Sequence, residues 1–297
     1  MTRLTATITA NFGRRMHIAF ADGTAGDARI KGRGLKPVCA DRVSVVPIDN
    51  DEWLIVEIHE RRNALTRPNL RGAVEVLASN VDVVIVVAAP EPKPDWYIVD
   101  RYLCAAENMG AEAIVAWHKS DLPGGDEADA MLRVYRELGY GVARTSIDDP
   151  QSIAALERTV GSRVALLVGQ SGVGKSSLIN GMSPPSSQRT SGISRKTGEG
   201  RHTTVNAVLL PLACGGAVID SPGVRDFAPA FAQAVDVAHG YREIATRARE
   251  CRFANCLHLR EPGCAVKGAV DTGVIDARRY ASYRRSMNLF DDSRRSY

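Results

Sequence analysis

The first 66 residues alternate or cluster apolar and β-branched positions in short segments, with Gly, Asp or Asn between them. These segments read ATITANFG, RMHIAFADG, DARIKGRG, RVSVVPIDN and WLIVEIHE. Five short strands in so little chain are typical of a small β-barrel such as an OB-fold. We therefore predict an OB-like barrel over residues 1–66. The stretch at its end, IHERRNALTRPNLRG, is interpreted as a basic linker.

Beyond residue 66 the apolar positions form longer runs that alternate with helical stretches. The apolar runs are VDVVIVVAA, AEAIVAW, RVALLVG, VNAVLLPL and AVID, and the helical stretches include WYIVDRYLCAAENMG and EADAMLRVYRELGY. Near-continuous apolar strands with crossover helices are typical of a parallel sheet that is covered on both faces. The pattern predicts an α/β domain over residues 67–230.

Two stretches depart from this alternation. Residues 184–204 are polar and rich in Ser, Gly and Thr, which is typical of a functional or disordered loop. Residues 231–297 have a helical pattern that three Cys and one His interrupt. We predict a separate helical domain over residues 231–297.

The composition narrows the class of protein. Of the 297 residues, 44% are hydrophobic and 24% are charged, which is typical of a soluble globular chain of two or three domains. No apolar run approaches the ~18 residues of a membrane span, and the N-terminus has no signal-peptide pattern. We therefore expect a cytoplasmic protein that contacts no membrane, and we expect it to be a monomer.

Charge is distributed unevenly along the chain. Residues 1–72 carry 12 basic and 8 acidic side chains, residues 73–230 carry 14 and 18, and residues 231–297 carry 12 and 8. An acidic middle between basic ends indicates a polyanionic partner that the two ends hold. Solvated surface charge explains imbalances of this size equally well.

The segment GQSGVGKS at residues 169–176 matches the phosphate-binding pattern G-x-x-x-x-G-K-[ST] between an apolar strand and a helix. Its glycines allow backbone N–H groups to face phosphate oxygens at the positive end of the helix. Lys175 is expected to reach the β- and γ-phosphates and is a predicted catalytic residue, while the Ser176 hydroxyl is a predicted Mg²⁺ ligand. The predicted nucleotide contacts of this loop are Gly169, Gln170, Ser171, Gly172, Val173, Gly174, Lys175, Ser176 and Ser177.

A second phosphate-facing element is the sequence DSPG, which follows the apolar run AVID. Asp220 at the strand end is expected to hold the Mg²⁺ shell through water, and Gly223 is expected to offer its N–H to the γ-phosphate. Such a sequence is weak evidence by itself, since it is also an ordinary turn. Its position after a phosphate loop, with a Thr pair between them, makes it strong.

Base choice depends on the segment His118-Lys119-Ser120-Asp121, which follows the apolar run AEAIVAW. An ionised Asp side chain only accepts hydrogen bonds. Guanine presents two donors on one edge and adenine does not, so Asp121 is expected to select guanine by leaving buried groups unpaired with the wrong base. Ser146 is a predicted second base contact. Together these elements predict binding of GTP and GDP with Mg²⁺.

These motifs occur in the order HKSD, Ser, phosphate loop, Thr pair and DSPG, which resembles the circularly permuted GTPases and, within them, the ribosome small-subunit-dependent GTPase A family. A permutation leaves the sheet intact when the old termini lie close together, so the same site forms from a reordered chain. Further matching pieces are RGLKPVCADRV, RRNALTRP, GEGRHTT, DSPGVRDF and CRFANCLHLREPGCAV, so the resemblance covers nearly the whole chain. Two residues depart from it: His118 replaces an Asn, and Ala40 stands where the barrel usually has Gly.

The resemblance implies GTP hydrolysis that the small ribosomal subunit stimulates late in its assembly. Val224 stands where ordinary small GTPases place a water-orienting Gln, and its side chain cannot hydrogen-bond. His202 matches the family's proposed catalytic histidine, and a group of the subunit is the alternative. Thr203 or Thr204 is expected to close over Mg²⁺ and the γ-phosphate. The barrel and the C-terminal domain are expected to grip ribosomal RNA.

The C-terminal cluster of Cys251, Cys256, His258 and Cys264 also belongs to the resemblance. Three thiolates and one imidazole suit a closed tetrahedral Zn²⁺ site, which is the structural type. In a reducing compartment a metal site is favoured over a disulfide. We therefore expect one structural zinc ion.

Some interpretations stay open on the sequence alone. The stretch DARRYASYRRSMNLF places Tyr280, Tyr283 and Met287 on one helical face between arginine pairs, which fits either a docking helix or an RNA-contacting helix. Two other functions are a phosphate-loop protein that uses ATP to phosphorylate a small molecule, and a weakly or non-catalytic nucleotide-gated RNA-binding module.

Overall fold

A computed structural model describes residues 3–13, 15–32, 34–48, 52–68, 74–184, 207–221 and 231–295. The strands are β1 (Leu4–Phe12), β2 (Arg15–Phe20), β3 (Ala25–Ile30), β4 (Arg42–Pro47), β5 (Trp53–Ile58), β6 (Ala64–Pro68), β7 (Val74–Ser79), β8 (Val83–Ala88), β9 (Glu112–His118), β10 (Gly141–Thr145), β11 (Val164–Val168), β12 (Val208–Pro211) and β13 (Ala217–Asp220). The helices are α1 (Trp96–Met109), α2 (Gly125–Glu137), α3 (Pro150–Val160), α4 (Lys175–Met182), α5 (Ala234–His239), α6 (Arg242–Ala248), α7 (Ala265–Asp271) and α8 (Ala277–Arg295).

The first five strands close a barrel in the order β1-β2-β3-β5-β4, with β4 pairing back onto β1. Strands β3 and β5 are parallel, and the other neighbours are antiparallel. Every second side chain points inward, so that Ile8, Ile18, Val43, Val45 and Ile55 are buried in one core. The period-two pattern of the sequence thus encodes this barrel, and the OB-like prediction is confirmed.

The central sheet has the order β10-β9-β8-β11-β13-β12. Its strands are parallel except β12, which forms an antiparallel hairpin with β13. Helices α1 and α2 contribute buried side chains to the apolar core on one face, and α3 and α4 contribute to the core on the other. The prediction of an α/β sheet covered on both faces is confirmed, with β12 as its antiparallel member.

A buried polar joint connects the barrel to the β6–β7 hairpin, in a stretch that the sequence presents as a basic linker. The Arg61 guanidinium donates to both carboxylate oxygens of buried Asp41, each at 2.7 Å, and the Ser79 hydroxyl donates to the same carboxylate at 2.6 Å. Part of the predicted linker is also strand β6, which pairs with β7. The interpretation of this stretch as a basic linker is therefore wrong, because Arg61 is bound to the buried Asp41 carboxylate, which lies 20 residues earlier in the chain.

A second connection between barrel and core is the pairing of β1 with β12, in which Ala10 lies opposite Val208. Val208 lies in turn opposite Asp220 on β13. Barrel and core therefore share one continuous sheet of eleven strands among the described residues. Ala40, the position at which the resemblance predicts Gly, has a φ of 68° in this barrel, a left-handed conformation that favours glycine.

The C-terminal region is helical, as predicted, and its own apolar core includes the buried side chains of Tyr241, Tyr283 and Met287. Helix α8 therefore docks with the tyrosine face that the sequence shows. None of the helices in the described part of the chain combines the length and the apolar character needed to span a membrane.

A buried ionic joint ties this region to α1. The Arg279 guanidinium donates to Asp100 on α1 at 2.7 Å and to Glu243 on α6 at 2.7 and 3.0 Å. Arg278 donates to the other Asp100 oxygen at 2.6 Å, and the Tyr135 hydroxyl donates to Asp100 at 2.7 Å. A buried carboxylate without such partners would be costly. The first arginine pair of α8 therefore takes part in docking the helix onto α1.

Candidate nucleotide site and metal cluster

Those predicted nucleotide residues that the structure describes gather at the carboxyl edge of the central sheet. The parallel strands β9, β10, β11 and β13 end there at His118, Thr145, Val168 and Asp220. The chain order reverses between β8 and β11, which are neighbours in the sheet although three helices and two strands separate them along the chain. Ligands of open α/β sheets bind in the crevice at such a reversal.

The phosphate loop joins β11 to α4 and needs its glycines. Gly169, Gly172 and Gly174 have φ angles of 139°, 84° and 95°. A Cβ atom at Gly169 would lie 2.2 Å from the Val87 carbonyl oxygen, so no side chain fits there. The Lys175 ammonium donates to the carbonyl oxygens of Gly169 and Gln170 at 2.6 and 2.5 Å. The Lys175 side chain thus lies across the phosphate loop, as its predicted contact with the β- and γ-phosphates requires.

The start of α1 supports the phosphate loop from the side. The backbone N–H of Asp95 donates to the Gln170 side-chain oxygen at 2.9 Å. Asp95 is also the N-cap of α1, because its carboxylate accepts from the Tyr97 N–H at 3.0 Å. The sequence analysis missed Asp95, although an Asp directly before a helical apolar pattern is a recognisable cap signal.

The predicted base-reading residues Asp121 and Ser146 lie together, although they follow different strands. The Ser146 hydroxyl donates to the Asp121 carboxylate, and this hydrogen bond lowers the pKa of Asp121 below its ordinary value. The Ser120 N–H donates to the Thr145 carbonyl at 3.2 Å, which ties the two loops to each other. The carboxylate is exposed and ionised near neutral pH, so its oxygens can accept hydrogen bonds from a base.

His118 and Lys119 connect the base-reading segment to the phosphate loop. The buried His118 ring lies against Gly174, where a Cβ atom would approach its Cδ2 to 2.5 Å. The Lys119 ammonium donates to the carbonyls of Glu91 and Gly172 at 2.7 and 2.9 Å. Base-reading and phosphate-binding segments therefore touch directly, although more than 50 residues separate Lys119 from Gly172 along the chain.

Some of the remaining predicted residues lie within the described part of the chain, and others lie outside it. Asp220 and Ser176 are half-buried, and Ser171 and Ser177 are exposed. The predicted residues His202, Thr203, Thr204 and Gly223, with Val224, lie outside the described residues. Thr145 was missed, although it directly precedes Ser146; its buried hydroxyl lies 3.0 Å from His118 Nδ1.

The second site is the group of Cys251, Cys256, His258 and Cys264, whose donor atoms all lie within 4.8 Å of one another. Cys251 Sγ lies 3.9 Å from Cys264 Sγ, and His258 Nδ1 lies 3.5 Å from both of these sulfurs. Tetrahedral bonds of about 2.3 Å to sulfur and 2.1 Å to nitrogen give separations of about 3.8 and 3.6 Å. The donor set and its spacing therefore fit one structural metal ion.

Neighbouring groups order this metal cluster from outside. The Tyr283 and Tyr280 hydroxyls donate to the Leu257 and His258 carbonyls at 2.6 and 2.7 Å. The Glu261 carboxylate accepts from the N–H groups of Leu257, Leu259 and Arg260. Burial opposes its ionisation, but these backbone hydrogen bonds outweigh it and hold the pKa of Glu261 at about 2. Sequence reasoning missed Glu261, since a lone Glu in a polar segment carries no signal.

Fold and site together define a phosphate-loop GTPase whose base-reading element precedes the phosphate loop. Residues 58–229 match the RsgA GTPase family. A "small ribosomal subunit biogenesis GTPase RsgA" of Pseudomonas aeruginosa is 38% identical over 283 residues, which covers 94% of this chain and 84% of that protein. The chain belongs to the RsgA GTPase family, and it is an enzyme that hydrolyses GTP.

Two solved structures extend this similarity over the whole fold. YjeQ from Thermotoga maritima has a TM-score of 0.78 and 27% identity, with 97% of this chain and 99% of that chain covered. YloQ, described as a circularly permuted GTPase, has a TM-score of 0.76 and 26% identity, with 98% and 96% covered. The fold is therefore a circularly permuted GTPase with an OB-like barrel and a C-terminal cluster that can hold a metal. Family membership sets aside an ATP-dependent kinase and a module without GTPase activity; whether turnover is weak is not tested by it.

Proposed function

We propose that this GTPase acts in assembly of the small ribosomal subunit and that the subunit stimulates its GTP hydrolysis. The observation that carries the nucleotide part of the proposal is the contact of the base-reading segment with the phosphate loop, which brings the predicted base and phosphate contacts to one crevice. The name of the Pseudomonas aeruginosa relative, a small ribosomal subunit biogenesis GTPase that shares most of its length with this chain, supports the assignment to the small subunit.

In this proposal each residue acts at one part of the nucleotide. Lys175 releases its two carbonyl contacts to bind the β- and γ-phosphates, because phosphate oxygens carry more negative charge than carbonyls. Ser176, Asp220 and Thr203 or Thr204 are the residues that would hold Mg²⁺, which would neutralise charge on the phosphates. Asp121 and Ser146 bind guanine. His202, or a group of the subunit, aligns the attacking water, since Val224 cannot.

The metal cluster is proposed to hold Zn²⁺, because three thiolates and an imidazole in tetrahedral spacing are the donors that zinc prefers. Burial lowers the pKa of His258, which keeps its imidazole neutral and able to ligate. The ion would organise residues 251–264, a stretch that has few helical hydrogen bonds of its own. Its role would be structural.

Contact with ribosomal RNA is proposed for the barrel (residues 1–66) and the C-terminal domain (residues 231–297), which flank the GTPase domain (residues 67–230). Both ends carry a basic excess, which favours phosphate contact. On α8, Arg284 is exposed, and Arg285 is also exposed although its guanidinium lies 3.9 Å from the centre of the Tyr97 ring and 3.8 Å from the Asp95 carboxylate. We further propose that the protein is cytoplasmic and monomeric.

Co-sedimentation with purified small ribosomal subunits tests this proposal. The expected result is nucleotide-dependent binding, with a non-hydrolysable GTP analogue and GDP giving different bound fractions, and no binding to large subunits. A His202→Ala variant should bind nucleotide normally but show slower hydrolysis on the subunit. Equal and weak sedimentation with both subunits, whatever the nucleotide, would refute the ribosomal assignment while leaving the GTPase site intact.

A further inference from the structure

The segment that precedes α1 lies directly against the phosphate loop. A Cβ atom at Gly172 would meet the Pro92 ring at 3.4 Å, and the Asp95 N–H donates to the Gln170 side-chain oxygen at 2.9 Å. Gln170 itself lies between Gly169 and Gly172, which both have positive φ angles. Because glycine is conformationally permissive, such a loop needs contacts from outside to keep one shape. The hydrogen bond from Asp95 is one of these contacts.

Asp95 joins three elements of the molecule through three different atoms. Its N–H binds Gln170 in the phosphate loop. Its Oδ1 accepts from the Tyr97 N–H at 3.0 Å, which caps α1. Its Oδ2 lies 3.8 Å from a guanidinium nitrogen of Arg285 on α8. The residue that fixes the start of α1 therefore also contacts the phosphate loop and faces the C-terminal region.

The docking of α8 brings Arg285 to the start of α1. Arg279 binds Asp100 further along α1 at 2.7 Å, so the later residues of α8 lie beside the beginning of α1. There the Arg285 guanidinium stacks on the Tyr97 ring, 3.9 Å from its centre, which adds to the attraction of the Asp95 carboxylate. The Arg285 side chain is 62% exposed, and ion pairs of this kind contribute little because solvent screens them. The contribution of Arg285 is therefore smaller than that of the cap.

We propose that Asp95 is a positioning residue for the phosphate loop and that Arg285 of α8 helps to hold it in place. The cap keeps the first turn of α1 formed, and the formed turn keeps the Asp95 N–H directed at Gln170. Docking of the C-terminal region thereby contributes to nucleotide affinity through α1. The inference rests on the proposed binding of nucleotide phosphates by this loop, and Asp95 acts on the nucleotide through Gln170.

Calorimetric affinities for GDP, measured on the full chain, test the cap. Asp95→Ala removes the acceptor and should weaken GDP binding by about threefold to tenfold, as expected for one lost hydrogen bond. Asp95→Asn caps a helix as well as Asp does and should keep most of the affinity. An unchanged GDP affinity in Asp95→Ala, even with a lower melting temperature, would overturn the inference, because the cap would then serve α1 alone. Failure of the wild type to bind GDP would instead refute the proposed role of the loop.

A double-variant cycle tests the route through Gln170. If Asp95 acts through this side chain, Asp95→Ala combined with Gln170→Ala should bind GDP no more weakly than the weaker of the two single variants. Losses that add in the double variant would overturn the proposed route.

A surface substitution tests the contribution of α8 without disturbing the cap. Arg285→Ala should weaken GDP binding by about twofold to fourfold, the range of an exposed ion pair. Arg249→Ala is the matched control, since it removes the same charge from an exposed position at the end of α6. It should bind GDP as the wild type does. Equal GDP affinities in Arg285→Ala and Arg249→Ala would overturn the link between α8 and the phosphate loop.

Discussion

The metal cluster and the nucleotide site are assembled in opposite ways. The cluster takes its four donors from residues 251–264 and holds them at ligand spacing through nearby groups such as Glu261 and Tyr283. The nucleotide site takes its residues from the ends of strands that are distant in sequence, from His118 to Asp220, and rests on a sheet with its own apolar cores. We therefore expect loss of a cluster residue to destabilise the C-terminal region, and loss of a nucleotide residue to weaken nucleotide binding with the fold preserved.

The largest effect is expected for Cys256→Ser. Removing one thiolate leaves three donors, and a small metal region draws much of its folding free energy from the ion. We expect the bound metal to fall from one equivalent to near zero and amide protection to be lost in α7 and the start of α8, while β8, β9 and β11 stay protected. Metal analysis and hydrogen exchange measure this.

Cys214→Ser is the matched control for this variant, because Cys214 lies outside the cluster, with its thiol 2.9 Å from the Gly161 carbonyl. It should change neither metal content nor protection. Full protection of α7 in a metal-free Cys256→Ser protein would show that the region folds without its ion.

Lys175→Ala should have the next largest effect, and it should fall on binding alone. Two or more charge-assisted hydrogen bonds to phosphate are lost, each worth about 1.5–3 kcal/mol, so the affinity for GDP should drop by about a hundredfold or more. Lys31→Ala, at an exposed barrel lysine, should bind as the wild type does. The affinity for GDP, from calorimetry, and the melting temperature are measured for each variant. A large fall in the melting temperature of Lys175→Ala would contradict the expectation that a nucleotide residue affects binding without affecting the fold.

Asp121→Asn should redirect base choice with a smaller change. An amide offers one donor and one acceptor, so it no longer matches the two donors of guanine but does match xanthine, which has a carbonyl in place of the amino group. We expect GDP to bind about tenfold to a hundredfold more weakly and xanthosine diphosphate to bind more tightly. Asp271→Asn, at an exposed position at the end of α7, is the control. Unchanged GDP selectivity in Asp121→Asn would remove the carboxylate from base reading.

Glu261→Gln should have the smallest effect, because the amide oxygen of Gln still accepts hydrogen bonds from some of the three backbone N–H groups that bind Glu261. We expect a loss of about 1–2 kcal/mol of stability with the metal retained. The pKa of about 2 lies below the ordinary 4.5, so the wild type's advantage is complete above pH 4.5 and declines as pH falls towards 2. Chemical unfolding of both proteins at pH 7 and pH 5 should give the same difference. A variant as stable as the wild type would mean that the ion alone orders the loop.

Much of the fold could be predicted because its signals are local. Period-two patterning encodes the barrel strands, and the glycines of residues 169–174 are required by positive φ angles and close backbone approach. Strand β10 was missed because it is five residues long and lies at the sheet edge, where less of it is buried. Its neighbours β8 and β9 are continuous apolar runs because both of their faces are covered.

The two joints could not be predicted, because their partners are distant in sequence. Arg61 and Arg279 resemble solvated surface charge until the fold brings them to Asp41 and Asp100, which lie 20 and 179 residues away. The same holds for His118, because its place in the structure depends on contacts with Thr145 and Gly174, which are distant in sequence. Residue type indicates the chemistry of such a group, and only the packed structure shows where that chemistry is used.

Under the proposed function, the crevice at the carboxyl edge of the central sheet is a guanine-specific hydrolytic site that the small ribosomal subunit activates. Phosphate release from GTP and from ATP, each with and without purified small subunits, tests it most directly. We expect GTP to be hydrolysed slowly by the protein alone and much faster with subunits, with ATP near background in both conditions. Hydrolysis of ATP at a rate similar to that of GTP, or GTP turnover that small subunits leave unchanged, would contradict the account.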